Sequence, residues 1–295
     1  MTRRLLIILN PIAGRRRRTL LDGVVAELRR GHVSTTVVTT EGPDHAADLA
    51  RAADADVVVA AGGDGTINEV VHGLMTRRPD AVRPAFATLP LGTINVLALE
   101  LGLPREPAGL AAMLADGPLM PVAVGRANDR HFLLTAGAGV DAAAVRFLSP
   151  RLKRLIGQAA YHVALIRALI AEGGTVFEVE IGGETHFVSS VIVTNAPRYA
   201  GDRVVAPAVR LSDDVVHVLL GLSHGRRHLI RYGIAYMRGT LPFQRDVKIV
   251  PARRLRIVGP AGKPVQLDGD NRLTTPVDID VLDTPLMTVT VAGPR

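Results

Sequence analysis

The sequence predicts a two-part chain, a parallel α/β half followed by a mostly antiparallel β half. Three observations carry this expectation. Strand-like and helix-like segments alternate as far as about Pro121, β-branched runs dominate beyond it, and the first four apolar stretches end in glycine-rich or polar turns. The division is drawn at 1–122 and 123–295, with the last strand free to return to the first half.

Leu5–Leu9 is the first strand, and Asn10-Pro11-Ile12-Ala13-Gly14 follows where a strand end meets a helix start. Arg15–Arg18 opens that helix. Cations there oppose the helix dipole at about 0.3 kcal/mol or more each, so this run is either a solvated face or is relieved by a nearby anion. Val33–Val38 is the second strand, ended by Thr39-Thr40, and Val57–Ala61 after Asp56 is a third, buried one. It runs into Gly62-Gly63-Asp64-Gly65-Thr66 with Asn68 and Glu69, and Ile67–Leu74 reads as the helix that follows. The fourth stretch ends in Pro90-Leu91-Gly92-Thr93, with Asn95 two positions further. Ligands of an open parallel sheet bind outside the carboxyl ends of its strands, so these four turns define one crevice. In the second half, strands are expected at Thr175–Ile181, His186–Thr194, Val215–Leu222, Val247–Val250, Leu255–Val258, Val277–Leu282 and Met287–Val291. Leu155–Ile170 is an apolar helix preceded by Arg151, Lys153 and Arg154. It packs in the core or lies against lipid headgroups with its basic start at the phosphates.

The glycine block has the chemistry of a phosphate cradle. Glycines let backbone N–H groups approach an anion, and a helix N-terminus favours negative charge. Asp64 is out of place in such a turn unless a metal ion or a transferable proton lies between it and the ligand. Taken alone, Gly-Gly-Asp-Gly is equally a turn signal. Asp268 is a second candidate: Val265–Leu267 is a short apolar strand and Gly269 permits a tight turn, which presents the carboxylate at a strand end. Asp-Gly between strands is also a leading hairpin signal.

The 295-residue chain is long enough for a substantial core, and its net charge of +7 implies an anionic partner, whether nucleic acid, acidic lipid or a phosphorylated metabolite. Aromatic residues are only 3% and tryptophan is absent, which weakens a stacking platform, and the chain carries no recognisable duplex-reading motif, so nucleic acid is not expected. With no cysteine there are no disulfides or thiolate metal sites, which fits a reducing compartment. The Leu5–Leu9 run is too short for a leader, and no stretch approaches the roughly 18 apolar residues a membrane span requires, so a soluble or peripheral protein is expected.

With these residues assembled, the chain resembles the diacylglycerol kinase and sphingosine kinase superfamily, specifically its soluble bacterial lipid kinases. The resemblance rests on Asn-Pro-x-x-Gly at Asn10–Gly14, the Gly-Gly-Asp-Gly-Thr block with Asn68-Glu69, and Gly-Thr-x-Asn at Gly92–Asn95 followed by Leu101-Gly102-Leu103-Pro104. It continues through Gly137–Ala142, Leu152-Lys153-Arg154 with Gly157 and Tyr161, Asn195, Ala206-Pro207 and Leu267–Asp270. It implies an ATP-binding N-terminal domain like that of phosphofructokinases and NAD kinases, a C-terminal β-sandwich-like domain contributing a lipid pocket, and an active site in the cleft between them. Asn10, Pro11, Gly14, Thr40, Gly63, Asp64, Gly65, Thr66, Asn68, Glu69, Gly92 and Thr93 match nucleotide-binding positions. Asp268 matches the general base, with Asp64 as its rival or as the carboxylate near metal and phosphate. Asp141 is either a contact to the lipid head group or a plain surface aspartate. The implied reaction is Mg²⁺-dependent transfer of the ATP γ-phosphoryl group to a lipid hydroxyl, by a cytoplasmic protein peripheral at the inner face of an anionic membrane.

The chain departs from the family pattern at three places. Ala123 stands where soluble members often carry an aspartate of a metal and water network. Val215 replaces the glycine of Asp-Asp-Gly, which weakens Asp213 and Asp214 as ligands of a structural metal, since valine is strained in the left-handed conformation. Asp270 replaces a glutamate with the charge kept. Two other functions compete: an NAD-kinase-like kinase of a soluble metabolite, and an inactive lipid-binding regulator.

Overall fold

The computed structural model describes residues 3–14, 18–92, 95–147, 159–172 and 174–291. It divides into two compact units, Met1–Val122 with Thr284–Arg295, and Ala123–Asp283.

The first unit is a three-layer α/β structure. Its strands are β1 (Leu5–Leu9), β2 (Thr35–Thr39), β3 (Val57–Gly62), β4 (Ala85–Pro90), β5 (Leu119–Val122) and the last strand of the chain, β20 (Leu286–Val289), in the order β2-β1-β3-β4-β20-β5. Neighbours from β2 to β20 run parallel, and only β5 is antiparallel. Helices α1 (Pro11–Gly14), α2 (Arg18–Arg30), α3 (His45–Ala52), α4 (Asp64–Met75), α5 (Val96–Glu100) and α6 (Pro107–Asp116) connect them. β3 is buried at every position, as the continuous apolar run requires of a strand covered on both faces. On one face Leu21, Val24, Leu28, Leu110 and Leu114 pack against Ile7, Val57, Val59 and Leu89. The parallel register, with Leu9 opposite both Thr39 and Ala61 and Gly62 opposite Pro90, brings the ends of β1 to β4 to one edge.

The second unit is an antiparallel β-sandwich. Its strands are β6 (Gly125–Ala127), β7 (Arg130–Phe132), β8 (Thr135–Ala138), β9 (Phe177–Ile181), β10 (Glu184–Val188), β11 (Ser190–Thr194), β12 (Arg198–Tyr199), β13 (Arg203–Val204), β14 (Val216–Gly221), β15 (Val247–Ala252), β16 (Arg254–Gly259), β17 (Pro264–Leu267), β18 (Asp270–Thr274) and β19 (Val277–Val281). One sheet has the order β10-β9-β16-β19-β6-β7 and the other β15-β14-β11-β8-β17-β18. Phe132, Phe177, Val191, Val218, Ile257, Val265 and Ile279 belong to the apolar core they share. The helices α7 (Val140–Phe147), Ala159–Glu172 and Arg226–Met237 lie against a separate cluster containing Val140, Ala168, Leu219, Leu229 and Tyr232.

Four expectations need correction. The helix after the glycine block begins at Asp64, three residues before Ile67, so Asp64 and Gly65 are in its first turn. The second strand starts at Thr35 and reaches Thr39. His186–Thr194 is two strands in different sheets, broken at Ser189, whose N–H and hydroxyl both donate to the Gly221 carbonyl. The helix Arg226–Met237 had no counterpart in the sequence reading, because its apolar residues follow no single face.

Candidate functional site

In the first unit the site is built from backbone and short polar side chains at the carboxyl edge of the sheet. Asn10 leaves β1 with its N–H on the Ala61 carbonyl at 3.0 Å. Its side-chain nitrogen donates to Thr66 Oγ1 at 3.1 Å, and its Oδ1 accepts the Ile12 N–H at 3.0 Å. One asparagine therefore joins the end of β1, the start of α1 at Pro11 and the first turn of α4. Thr40, buried at the end of β2, donates its N–H to the Leu9 carbonyl. Gly63 is the N-cap of α4, Asp64 and Gly65 follow in its first turn, and the buried Thr66 and Asn68 face inward with Glu69 half-buried beside them. An acidic side chain in that first turn is favoured by the helix dipole.

Gly92 closes the cradle from β4. The N–H groups of Leu91 and Gly92 both donate to the Gly62 carbonyl at 3.0 Å, and Asn95 clamps Gly92 with an N–H···Oδ1 bond of 3.2 Å and an Nδ2–H···O bond of 2.9 Å. A Cβ on Gly92 would lie 2.7 Å from the Gly63 Cα, so only glycine allows the two turns to meet. A Cβ on Gly65, by contrast, would meet no described residue within 4 Å. The space beside Gly65 in the first turn of α4 is therefore open, and a helix start of this kind suits a phosphate group. Asn95 is the N-cap position of α5, and an asparagine just before an apolar helix start is the sequence signal of a cap. Gly14 ends α1, and Thr93 lies outside the described residues.

The second unit, taken by itself, holds two buried candidate carboxylates. Asp268 (φ 48°) and Gly269 (φ 86°) are both left-handed and form the two-residue turn between β17 and β18, where Leu267 faces Asp270. The N–H groups of Leu133, Leu134 and Thr135 donate to the Asp268 carboxylate at 2.9, 2.8 and 2.9 Å, and its own N–H donates to the Thr135 carbonyl. Asp268 is thus at once a turn residue and a buried carboxylate held by three amides. Asn195 fastens the segment supplying them, donating to the carbonyls of Leu133 and Ala123 at 3.2 Å while its N–H bonds to the Leu134 carbonyl.

Asp141, in the first turn of α7, is 8% exposed, which rules out a plain surface aspartate. Its Oδ1 accepts the Ala142 N–H at 2.7 Å, and its Oδ2 accepts the Tyr199 hydroxyl at 3.1 Å and Gln266 Nε2 at 3.2 Å. Burial raises its pKa to about 6, against the hydrogen bonds from Ala142, Gln266 and Tyr199, which pull it down. Tyr199 is pushed well above its usual range by burial and by the neighbouring carboxylate, so it stays a donor. Gln266 links Asp141 to the turn that carries Asp268: its Oε1 accepts the Gly269 N–H at 2.8 Å while its Nε2 reaches Asp141. Neither Gln266 nor Tyr199 was anticipated. A glutamine within an apolar strand is a signal for the first; nothing in the spacing points to the second.

Asp213 and Asp214 turn to different partners. Asp213 Oδ2 accepts the Arg210 N–H at 2.9 Å, whereas Asp214 pairs with Arg253 at 2.9 Å. Val215 is not among the residues with positive φ, so this turn makes no demand for glycine there. The Ala123 methyl is buried in the sandwich core. Asp270 pairs with Arg272 at 2.8 Å. Among the described residues no group of three or more His, Asp or Glu side chains is arranged to hold a metal ion. Arg151, Lys153 and Arg154 lie outside them, as do Arg15 to Arg17.

Two family models match successive parts of the chain. Residues 4–127 match the family model described as the diacylglycerol kinase catalytic domain, and residues 135–290 match the YegS C-terminal NAD kinase beta sandwich-like domain. A diacylglycerol kinase of Bacillus subtilis (strain 168) is 30% identical over 271 residues, covering 90% of this chain and 88% of its own. One from Staphylococcus haemolyticus (strain JCSC1435) is 35% identical over 162 residues, covering 53% of this chain and 48% of its own. A crystal structure of a diacylglycerol kinase from Bacillus anthracis str. Sterne superposes with a TM-score of 0.78 at 24% identity, covering 99% of this chain and 98% of that one.

Proposed function

The chain belongs to the diacylglycerol kinase catalytic domain family, and from that premise we propose that it is a lipid kinase, transferring the γ-phosphoryl group of ATP to the hydroxyl of a lipid such as diacylglycerol or a sphingoid base. Two observations, one in each unit, support the reading: a glycine-lined helix start open at Gly65, and a buried carboxylate oriented by three amides.

Phosphoryl transfer asks a protein chiefly for position and charge compensation. The amides of Gly63, Asp64 and Gly65 at the start of α4 bind the nucleotide phosphates, with Asn10 and Asn95 fixing the loops around them. The acceptor hydroxyl presents its proton to Asp268, whose orientation is set by the Leu133, Leu134 and Thr135 amides; its oxygen bonds to the γ-phosphorus as the bond to the β-phosphate oxygen breaks, and ADP leaves. Asp64 would hold Mg²⁺ together with the phosphates, which suits an ion that is commonly bound by one or two carboxylates plus nucleotide oxygens. Once bound, Mg²⁺ neutralises charge developing on the phosphate oxygens. No described helix is long and apolar enough to cross a membrane.

The C-terminal match to an NAD kinase-like sandwich favours a second reading, a kinase of a soluble metabolite. Incubation with γ-labelled ATP, Mg²⁺ and a mixed lipid extract separates the two. Label in the organic phase is expected; label only in a water-soluble product overturns the lipid reading, and no transfer at all favours an inactive lipid-binding protein.

A further inference from the structure

The helix Arg226–Met237 buries Leu229, Tyr232 and Ala235 and yet exposes Ile230 (50%), Ile234 (39%) and Met237 (42%). At 100° per residue these three fall within about 60° of one another, a single outward stripe. The same wheel puts Arg226 on one border and Arg227 and Arg238 on the other. Phe243, in the 3₁₀ turn that follows, is 73% exposed. From Arg226 to Arg245 there is no acidic residue.

This face is held outward by a built anchor. Tyr232 donates its hydroxyl to the Asp246 carboxylate at 2.6 Å, Arg231 pairs with the same carboxylate, and the Ser223 N–H donates to the Tyr232 oxygen at 3.1 Å. Burial works against the charge on Asp246, but the bonds from Ser223, Tyr232 and Arg231 outweigh it and hold the pKa near 2, so the anchor is ionised at physiological pH. The helix is therefore seated with its apolar stripe in water by design of its other face.

We propose that the Ile230-Ile234-Met237 stripe with Phe243 and its arginine border is a docking surface for an anionic lipid bilayer. Apolar side chains enter the acyl boundary while guanidinium groups meet lipid phosphates, the arrangement of an interfacial helix. Charge selects this occupant over a second copy of the chain. A two-fold interface would bring the arginine border against itself, with no acidic residue on the patch to compensate. Neither Arg226 nor Arg238 has an ion-pair partner among the described residues, which leaves both available to phosphates. The inference deepens the lipid-kinase reading by naming the surface through which the protein reaches its substrate.

The test uses the full chain with vesicles of phosphatidylglycerol and, in parallel, of phosphatidylcholine. Wild type is expected to co-sediment with the former at low salt. Arg226→Gln with Arg227→Gln and Arg238→Gln should weaken binding by about two orders of magnitude at low salt. Ile230→Ser with Ile234→Ser and Met237→Ser should weaken it by about tenfold or more at every salt concentration. All six positions are solvent-facing, so both variants are expected to keep the wild-type melting temperature and activity on a dispersed short-chain acceptor. Because the chain has no cysteine, Ile234→Cys carries a single environment-sensitive dye; its emission should move to shorter wavelength on phosphatidylglycerol vesicles, whereas a dye at Asp129→Cys, in the β6–β7 hairpin, should not respond. Vesicle binding unchanged in both triple variants, or an unresponsive dye at position 234, overturns the proposal. So does a wild-type dimer that becomes monomeric in the apolar variant without losing vesicle binding. Vesicle binding is read without turnover, so a soluble labelled product would sink the lipid-kinase reading while leaving the docking surface to stand on its own result.

Discussion

Replacing Asp141 with asparagine removes a buried charge whose cost can be worked out from its surroundings. Burial raises the carboxyl from its ordinary 3.8 to about 6. Between those values the folded protein binds the proton that the unfolded chain has released. This part of the stability is therefore complete below the unfolded pKa and is lost as pH rises through the folded one. At 1.36 kcal/mol per pH unit the loss amounts to about 3 kcal/mol. Asparagine does not titrate, so the stability of wild type relative to Asp141→Asn should fall by about 3 kcal/mol between about pH 4 and about pH 6, then level off. The amide is not a free replacement. If its Oδ1 keeps the Ala142 N–H, its Nδ2 faces the Tyr199 hydroxyl and Gln266 Nε2, both donors in the native arrangement. Tyr199 can rotate its O–H, but Gln266 cannot flip without turning a nitrogen onto the Gly269 N–H that it now accepts. One mismatched donor pair costs about 1–3 kcal/mol at all pH values, an offset that does not alter the slope. The assay is urea unfolding of both proteins across this pH range, with a carboxyl-carbon NMR titration of Asp141 as the direct check. Parallel stability profiles, or an Asp141 midpoint at the ordinary carboxylate value, would refute the reasoning.

Asp268→Asn is expected to lower kcat about 10²-fold or more while ATP affinity persists. It should also cost about 1–3 kcal/mol of stability, because one of three amide donors then faces an NH₂ group; a kcat close to wild type would leave Asp268 as a turn residue only and make Asp64 the candidate base. Gly65→Val should abolish ATP binding by calorimetry with the melting temperature almost unchanged, since its side chain enters open space; full affinity would move the nucleotide elsewhere. Gly92→Ala should lose both ATP affinity and stability, because its Cβ meets the Gly63 Cα at 2.7 Å and Asn95 Oδ1 at 2.8 Å. In Gln266→Met, removal of a bond that lowers the Asp141 pKa should raise the Asp141 midpoint in an NMR titration and reduce kcat at unchanged KM for ATP; an unmoved midpoint argues against the Gln266 bridge from Asp141 to the Asp268-Gly269 turn.

Where the signal was local, the sequence determined the outcome. Leu5–Leu9 is continuously apolar and forms β1 with the same limits, and the glycines after β3 and β4 mark the two turns that meet in the cradle. Tertiary structure decided what depends on a partner far along the chain. The run from His186 to Thr194 has strand character throughout, and only the choice of neighbours, β9 before Ser189 and β14 with β8 after it, breaks it into two sheets. The helix Arg226–Met237 escaped detection because its inner face is apolar for the core and its outer face is apolar as well, which blurs the period that marks an amphipathic helix. Asp268 shows both sides in one residue. Asp-Gly between two strands specifies the turn through its neighbours alone, whereas the three amides on its carboxylate come from residues 133–135, more than 130 positions earlier. Backbone conformation follows from steric effects between adjacent residues, and so is written in short patterns. Burial of Asp141, its bonds to Tyr199 and Gln266, and the amides around Asp268 exist only after the sheets have closed over them, because a hydrogen bond across the fold leaves no spacing rule in the chain.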